Sequence, residues 1–280
     1  MNIRKLLPLL LILTGISSAQ PDFSHEMKEV IKKNNLMKKN GISEQRVFFT
    51  DTDNNFIPTG LKINESIENY DTEGRIINRA VNYSYTDTSY IIQYSFFYND
   101  TDHLVDMMIS GSEKDTIYFS YQKDTAGNVT EYLSYIKDHV GADSITGRFK
   151  CIYDGQNRLL VTRSGDQEVM RYNYDASGNL SYIESGSIIT RYEYDEKGQI
   201  LTKVVSSSEN SEAKEISKYT YDSNGNIKTL KIEGWNGSLA ENRYVYDDRG
   251  LQLKAYFASK IKDSDGTETE QFVIVENEYK

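Results

Sequence analysis

Few residues in this chain are placed to do chemistry. The three histidines, His25, His103 and His139, are scattered, and none stands at metal-ligand spacing from another histidine or from the single cysteine, Cys151. Asp51-Thr52-Asp53-Asn54-Asn55 and Asp263-Ser264-Asp265-Gly266 have the look of calcium loops, but the first lacks the required glycine and neither has a well-placed closing glutamate. Both read as solvated turns. There is no Gly-x-Ser-x-Gly elbow, phosphate loop or dinucleotide fingerprint, and any pair of carboxylates could be two sides of a hairpin turn, so no glycosidase dyad is assigned. The sequence therefore predicts no catalytic residue, no metal and no cofactor. Trp235, beside Asn236-Gly237 in a loop, is the best ligand anchor, with Asn236 as its polar neighbour. The 22 tyrosines suggest sugar stacking, but those in strand register on an aliphatic face read as core, with their hydroxyls at the rim meeting water or backbone.

The elements that would position these residues are written as a repeat. Tyr174-Asp175-Ala176-Ser177-Gly178-Asn179-Leu180, Tyr194 to Ile200 and Tyr221 to Ile227 share the pattern Tyr-Asp-x-x-Gly-x-aliphatic. Asp in first place and Gly in fourth are the preferences of a type I turn whose fourth residue lies in the left-handed region, where a Cβ would clash. Such a turn closes a β-hairpin with a three-residue loop and a glycine bulge. Tyr174 then faces Leu180 and Tyr172 faces Tyr182, giving one apolar face; Tyr194 faces Ile200 and Tyr221 faces Ile227. Glycines 178, 198 and 225 mark finger tips.

Further copies run in both directions. Tyr70 to Ile76 with Gly74 is intact; Tyr246 keeps Gly250 but delays its aliphatic residue to Leu253; Tyr98 and Tyr153 carry Asp102 and Asn157 in the glycine slot; and Asp124 to Val129 keeps Gly127 with Lys123 in the tyrosine place. Lys262 to Gly266 is a last, degraded copy. Return turns are expected at Ser185-Gly186-Ser187 and at Trp235-Asn236-Gly237-Ser238, whose Asn-Gly signals a two-residue loop. Longer return loops, including the polar run Ser206 to Glu212, collect on one edge, where a variable binding surface is expected.

Tyr-Asp-x-x-Gly-Asn-Leu with its aromatic-x-Tyr-Asp approach (Tyr172-Asn173-Tyr174, Tyr192-Glu193-Tyr194, Tyr219-Thr220-Tyr221, Tyr244-Val245-Tyr246) resembles the YD repeats of Rhs proteins and teneurins. The resemblance implies an all-β chain, an elongated, curved antiparallel meander of hairpins. In large members such repeats spiral into a shell around a toxin or linker segment. This chain has far fewer copies and ends at Tyr279-Lys280 without a proline-rich processing motif, so it looks like a small stand-alone repeat protein.

Residues 1–19 have the order of a secretory signal peptide: Arg4-Lys5, an apolar run from Leu6 to Leu13, then Ser17-Ser18-Ala19. No cysteine follows the run for lipid attachment. Loss of Arg4 and Lys5 takes the net charge from -10 to -12, which argues against nucleic acid and anionic lipid as partners. An exported chain without a disulfide fits a secreted or periplasmic protein of the bacterial envelope. Residues 20–42 read as a helical cap, with Met27, Val30 and Ile31 on one stripe and a stop at Asn40-Gly41, and residues 43–280 as the repeat domain. The expected function is non-enzymatic: binding or scaffolding, with an envelope protein or polysaccharide as partner. The alternatives are a hydrolase of envelope polymers and a reduced shell or partner of a secreted toxin.

Overall fold

A computed structural model describes residues 26–60, 62–84, 89–98, 105–110, 115–137, 143–210, 214–262 and 266–280. The expected signal segment, the three histidines, Asp102 and Asp263 to Asp265 lie outside these residues. The described chain is all-β apart from one helix, α1 (Glu26–Asn40), and its strands pair antiparallel in sequence order, so the predicted hairpin meander is borne out. No helix among the described residues is long and apolar enough to cross a membrane. The chain divides into two compact units, one built on residues 1–46, 64–168 and 279–280, the other on residues 47–63 and 169–278.

The first unit contains α1, the start of β1 (Glu44–Thr52), and β2 (Ile63–Tyr70), β3 (Ile76–Ser84), β4 (Ser89–Tyr98), β5 (Val105–Ser110), β6 (Asp115–Lys123), β7 (Val129–Lys137), β8 (Asp143–Tyr153) and β9 (Leu159–Ser164). Gly41, at φ 63°, ends the helix: its N–H donates to Lys38 O and that of Ile42 to Met37 O, which satisfies two of the last carbonyls. The described buried positions of α1 are Asn34 and Met37; the side chains of Met27, Val30 and Ile31 lie outside the described set. The helix seats on the β2–β3 turn so closely that a Cβ on Gly74 would lie 2.1 Å from Asn34 O and 2.7 Å from Lys38 N.

Beneath α1 lies a buried ion cluster that the sequence reading did not anticipate. Lys33 Nζ donates to Glu68 at 2.8 Å, Arg79 donates to its other oxygen, and Tyr70 Oη sits 2.6 Å from Glu68 and 2.8 Å from Gln45 Oε1. Burial raises the Glu68 carboxyl, but the charges of Lys33 and Arg79 and the Tyr70 hydroxyl outweigh it and hold the group far below the carboxylate range. A charge-paired carboxylate is the form of a buried acid that a fold tolerates.

The second unit contains the rest of β1, then β10 (Gln167–Tyr174), β11 (Leu180–Ser185), β12 (Ile188–Tyr194), β13 (Ile200–Ser207), β14 (Lys214–Tyr221), β15 (Ile227–Glu233), β16 (Leu239–Tyr246), β17 (Gln252–Lys262) and β18 (Glu268–Tyr279). One face of this sheet is the core side: Val47 and Phe49 of β1 pack with Tyr244, Ala255, Phe257, Val273 and Val275. Tyr172 and Ile183, also buried, face one another on β10 and β11.

Candidate functional site

The repeat turns among the described residues are built the same way. In the turn after Tyr221, the Asp222 N–H donates to Asn226 O, the Gly225 N–H donates to Asp222 O, and Asp222 Oδ1 accepts the N–H groups of Asn224 and Asn226. Asp71, Asp124, Asp154, Asp195 and Asp247 repeat the carboxylate cap. The glycine slot is left-handed at Gly74, Gly127, Gly178, Gly198, Gly225 and Gly250, with φ between 75° and 87°, and Asn157 holds φ 60° in the same place. The tyrosines link one turn to the next. The hydroxyls of Tyr98, Tyr194 and Tyr221 donate to the carbonyls of Ile76, Leu180 and Ile200, each the aliphatic position one repeat earlier, and Tyr153 reaches Val129 in the same manner. Burial pushes the phenols of Tyr98 and Tyr194 up to about 12.

Three register expectations need correction. A bulge between Asn173 and Tyr174 lets Tyr174 face Leu180 as expected, but it turns Tyr182 toward Asn173, so Tyr172 opposes Ile183. After Tyr246 the buried residue is Leu251, fully inaccessible, because the opposite place is taken by Gln252; Leu253 is left exposed. The Asn236-Gly237 pair does not form a two-residue loop. Gly234 occupies the Asp place of the repeat turn, accepting from Gly237 N–H and donating to Ser238 O, so Trp235, Asn236 and Gly237 make a three-residue loop with Gly237 at φ 79°. The Asp51 to Asn55 run resolves likewise: Asp53 caps the N–H groups of Asn55 and Ile57, and Phe56 stands in the glycine slot at φ 58°. A bulky residue there is strained, and such strain is held by its surroundings. The Phe56 ring meets Tyr256 and Phe272 edge-on, with centroids 5.3 and 5.9 Å apart.

Phe272 leads to a concavity of the second unit, a shallow open groove of about 450 Å3 on the face opposite the core side. The cross-strand register explains its make-up. Two adjacent rows cross β14 to β18: Lys218, Lys231, Glu241, Ala258 and Phe272 in one, Ile216, Glu233, Leu239, Lys260 and Glu270 in the other. With strands ~4.8 Å apart, each row is about 19 Å long. Ala258, small between Glu241 and Phe272, lowers the floor, and Ile216, Leu239 and Phe272 supply its apolar surface. Glu241 receives Arg243 at 3.0 Å and Lys231 at 3.3 Å, which hold its carboxyl below the ordinary range. Lys260 pairs with Glu268 at 2.6 Å, and among the described residues Lys218 makes no ion pair. Such a groove can take an extended ligand with apolar and polar faces; it offers no buried nucleophile or base.

The Trp235 loop joins Glu233 to Leu239, both of which line the groove. Trp235 is 51% exposed. Asn236 Nδ2 donates to Lys262 O at 2.6 Å, Asn236 Oδ1 accepts from Ser238 N–H, and Ser238 Oγ accepts from Lys262 N–H, so the loop is clamped to the end of β17. Cys151 is buried, and burial pushes its thiol up to about 11, which suits a core residue. No cluster of three or more metal-binding side chains occurs among the described residues. Among the described residues, every carboxylate whose pKa is displaced, Glu241 and the turn aspartates 124, 154, 175, 222 and 247 among them, moves downward. Sequence reasoning missed Phe56, Ala258 and Phe272, which no local motif marks.

Comparison with known proteins assigns no family. No protein-family model and no curated protein sequence matches this chain. Among solved structures it is similar to a porin-like protein from Bacteroides uniformis at 10% identity and a TM-score of 0.43, over 85% of this chain and 98% of that one. It is also similar to a TcdB2-TccC3 structure at 16% identity and a TM-score of 0.34, over 80% of this chain and 15% of that one. The Tc holotoxin pore of Photorhabdus luminescens gives 11% identity and a TM-score of 0.29, over 74% of this chain and 16% of that one. The chain thus spans about a seventh of the Tc assemblies' length.

Proposed function

We propose that this chain is an exported YD-like repeat protein of the bacterial envelope that acts without catalysis, binding an envelope protein or polysaccharide through the return-loop edge of its second unit. The observation that carries the reading is the pairing of the amphipathic groove with Trp235, whose exposed indole stands on a loop held by three hydrogen bonds of Asn236 and Ser238. A loop fixed before the ligand arrives avoids the cost of ordering it on binding, and a large exposed aromatic beside a groove is the usual form of a binding anchor. Export rests on the Arg4 to Ala19 pattern.

The test is affinity capture from the chain's own envelope extract, read by mass spectrometry and by a glycan array, with Trp235→Ala and Asn236→Ala beside the parent. Trp235→Ala should cost 10-fold or more in affinity, about 2 kcal/mol for a lost hot spot. Asn236→Ala should weaken binding less, by freeing the loop. Unchanged capture of every partner by Trp235→Ala would refute the assignment of this edge.

A further inference from the structure

A second surface lies on the first unit. Cross-strand pairing places Phe97 opposite Met107, Met107 opposite Tyr118, Tyr118 opposite Tyr135 and Tyr135 opposite Ile145, one row across β4 to β8. Phe97 and Ile145 on this row are 45% and 57% exposed, and the Tyr118 and Tyr135 rings stack at 5.5 Å. The opposite face of the same strands holds the buried Phe96, Tyr132, Phe149 and Cys151, so the row is not the core showing through.

Further along β8 the same face turns basic, then apolar again. Arg148 and Lys150 follow Ile145, Lys150 stands between Glu131 on β7 and Arg163 on β9, and the next pair on that face is Ile152 with Val161. Arg148 approaches Glu131 at 3.4 Å, but among the described residues neither Lys150 nor Arg163 makes an ion pair. Directly opposed like charges destabilise a sheet. In a chain of net charge -10, Arg148, Lys150 and Arg163 around the single acid Glu131, beside exposed Ile145 and Ile152, form a local field of the opposite sign to the whole.

We propose that this face docks on an anionic lipid surface, its aromatic and aliphatic row entering the headgroup boundary while Lys150 and Arg163 meet lipid phosphates. Apolar and tyrosine side chains at the interface, flanked by cations, are what a peripheral membrane surface requires. The net acidity of the chain argued against such a partner, but charge acts within a Debye length of about 10 Å, so the local cluster decides the contact. A second copy of the chain suits the face less well, because face-to-face pairing would bring the two Lys150-Arg163 pairs together. The proposal is independent of the ligand of the second unit's groove.

The experiment is co-sedimentation of the chain, as an exporting bacterium delivers it, with phosphatidylglycerol-phosphatidylcholine vesicles and with phosphatidylcholine vesicles, over a salt series. Binding should need the anionic lipid and weaken with salt. Each of Lys150→Gln and Arg163→Gln should lower partitioning about fivefold, and the double variant roughly 25-fold. Both side chains are exposed, and far-UV circular dichroism verifies the fold. Phe97→Ser with Ile145→Ser should also weaken binding. Absence of binding to anionic vesicles, or binding that the double charge variant leaves intact, would overturn the proposal. So would a solution dimer that dissociates on Ile145→Ser, which would give the face to a second copy.

Discussion

Gly74 and Gly127 occupy the same slot of the same turn in the same unit, and only one of them has a helix against it. Their φ values are 75° and 87°, so alanine at either must adopt the left-handed region. That costs about 1–2 kcal/mol, partly offset by the lower entropy of the unfolded chain, leaving about 1 kcal/mol. At Gly127 nothing lies within 4 Å of the added Cβ, so the conformational cost is the whole effect. At Gly74 the new carbon would sit 2.1 Å from Asn34 O, a backbone atom of α1 that no rotamer can move aside. The helix must shift, at an overpacking cost of roughly 1–3 kcal/mol more. Urea titrations followed by far-UV circular dichroism should therefore show Gly127→Ala down by about 1 kcal/mol and Gly74→Ala down by about 2–4 kcal/mol. Gly127→Asn is the control, since Asn157 already fills this slot at φ 60°. Equal losses for the two alanine variants would refute the placement of α1 on the β2–β3 turn.

Other consequences can be measured in the same way. Tyr194→Phe removes one hydroxyl and leaves Leu180 O without its 2.6 Å donor, which should cost about 1–2 kcal/mol in urea. Glu68→Gln leaves Lys33 and Arg79 without their buried counter-charge and should cost about 3–5 kcal/mol, with the helical signal lost first. Acid titration should show stability flat through neutral pH and falling below about pH 4. Asp124, Asp154, Asp175, Asp222 and Glu68 have folded-state pKa values below their unfolded ones, so their contribution is present above the unfolded values and is lost as pH falls through the folded ones. A thermal midpoint that rises on acidification would contradict this sign.

The turns were legible in the sequence because their chemistry is local: an aspartate capping two amides and a glycine accepting positive φ act within seven residues. Tyr174-Leu180 and Tyr221-Ile227 follow directly. Beyond the first pair, a bulge just before the repeat tyrosine shifts the count, at Asn173-Tyr174 as at Glu193-Tyr194, Thr220-Tyr221 and Val245-Tyr246, and pairing counted straight through it goes one residue astray. The groove was not legible, since Lys218, Glu241, Ala258 and Phe272 become neighbours only through the registers of four successive hairpins. The Glu68 cluster did leave a trace. The place two residues before the repeat tyrosine holds Phe96, Cys151, Tyr172, Tyr192, Tyr219 or Tyr244 elsewhere, and an acid in that core slot implies hidden counter-charges.

The phenol-to-carbonyl links between turns have an evolutionary corollary. Donor and acceptor recur at the same two places of the motif, so a recombination event that adds or deletes one whole finger leaves each phenol with a mate. Chains of this kind can grow or shrink by complete fingers without redesign of the joint, whereas an insertion of a few residues within a finger would break the link on either side.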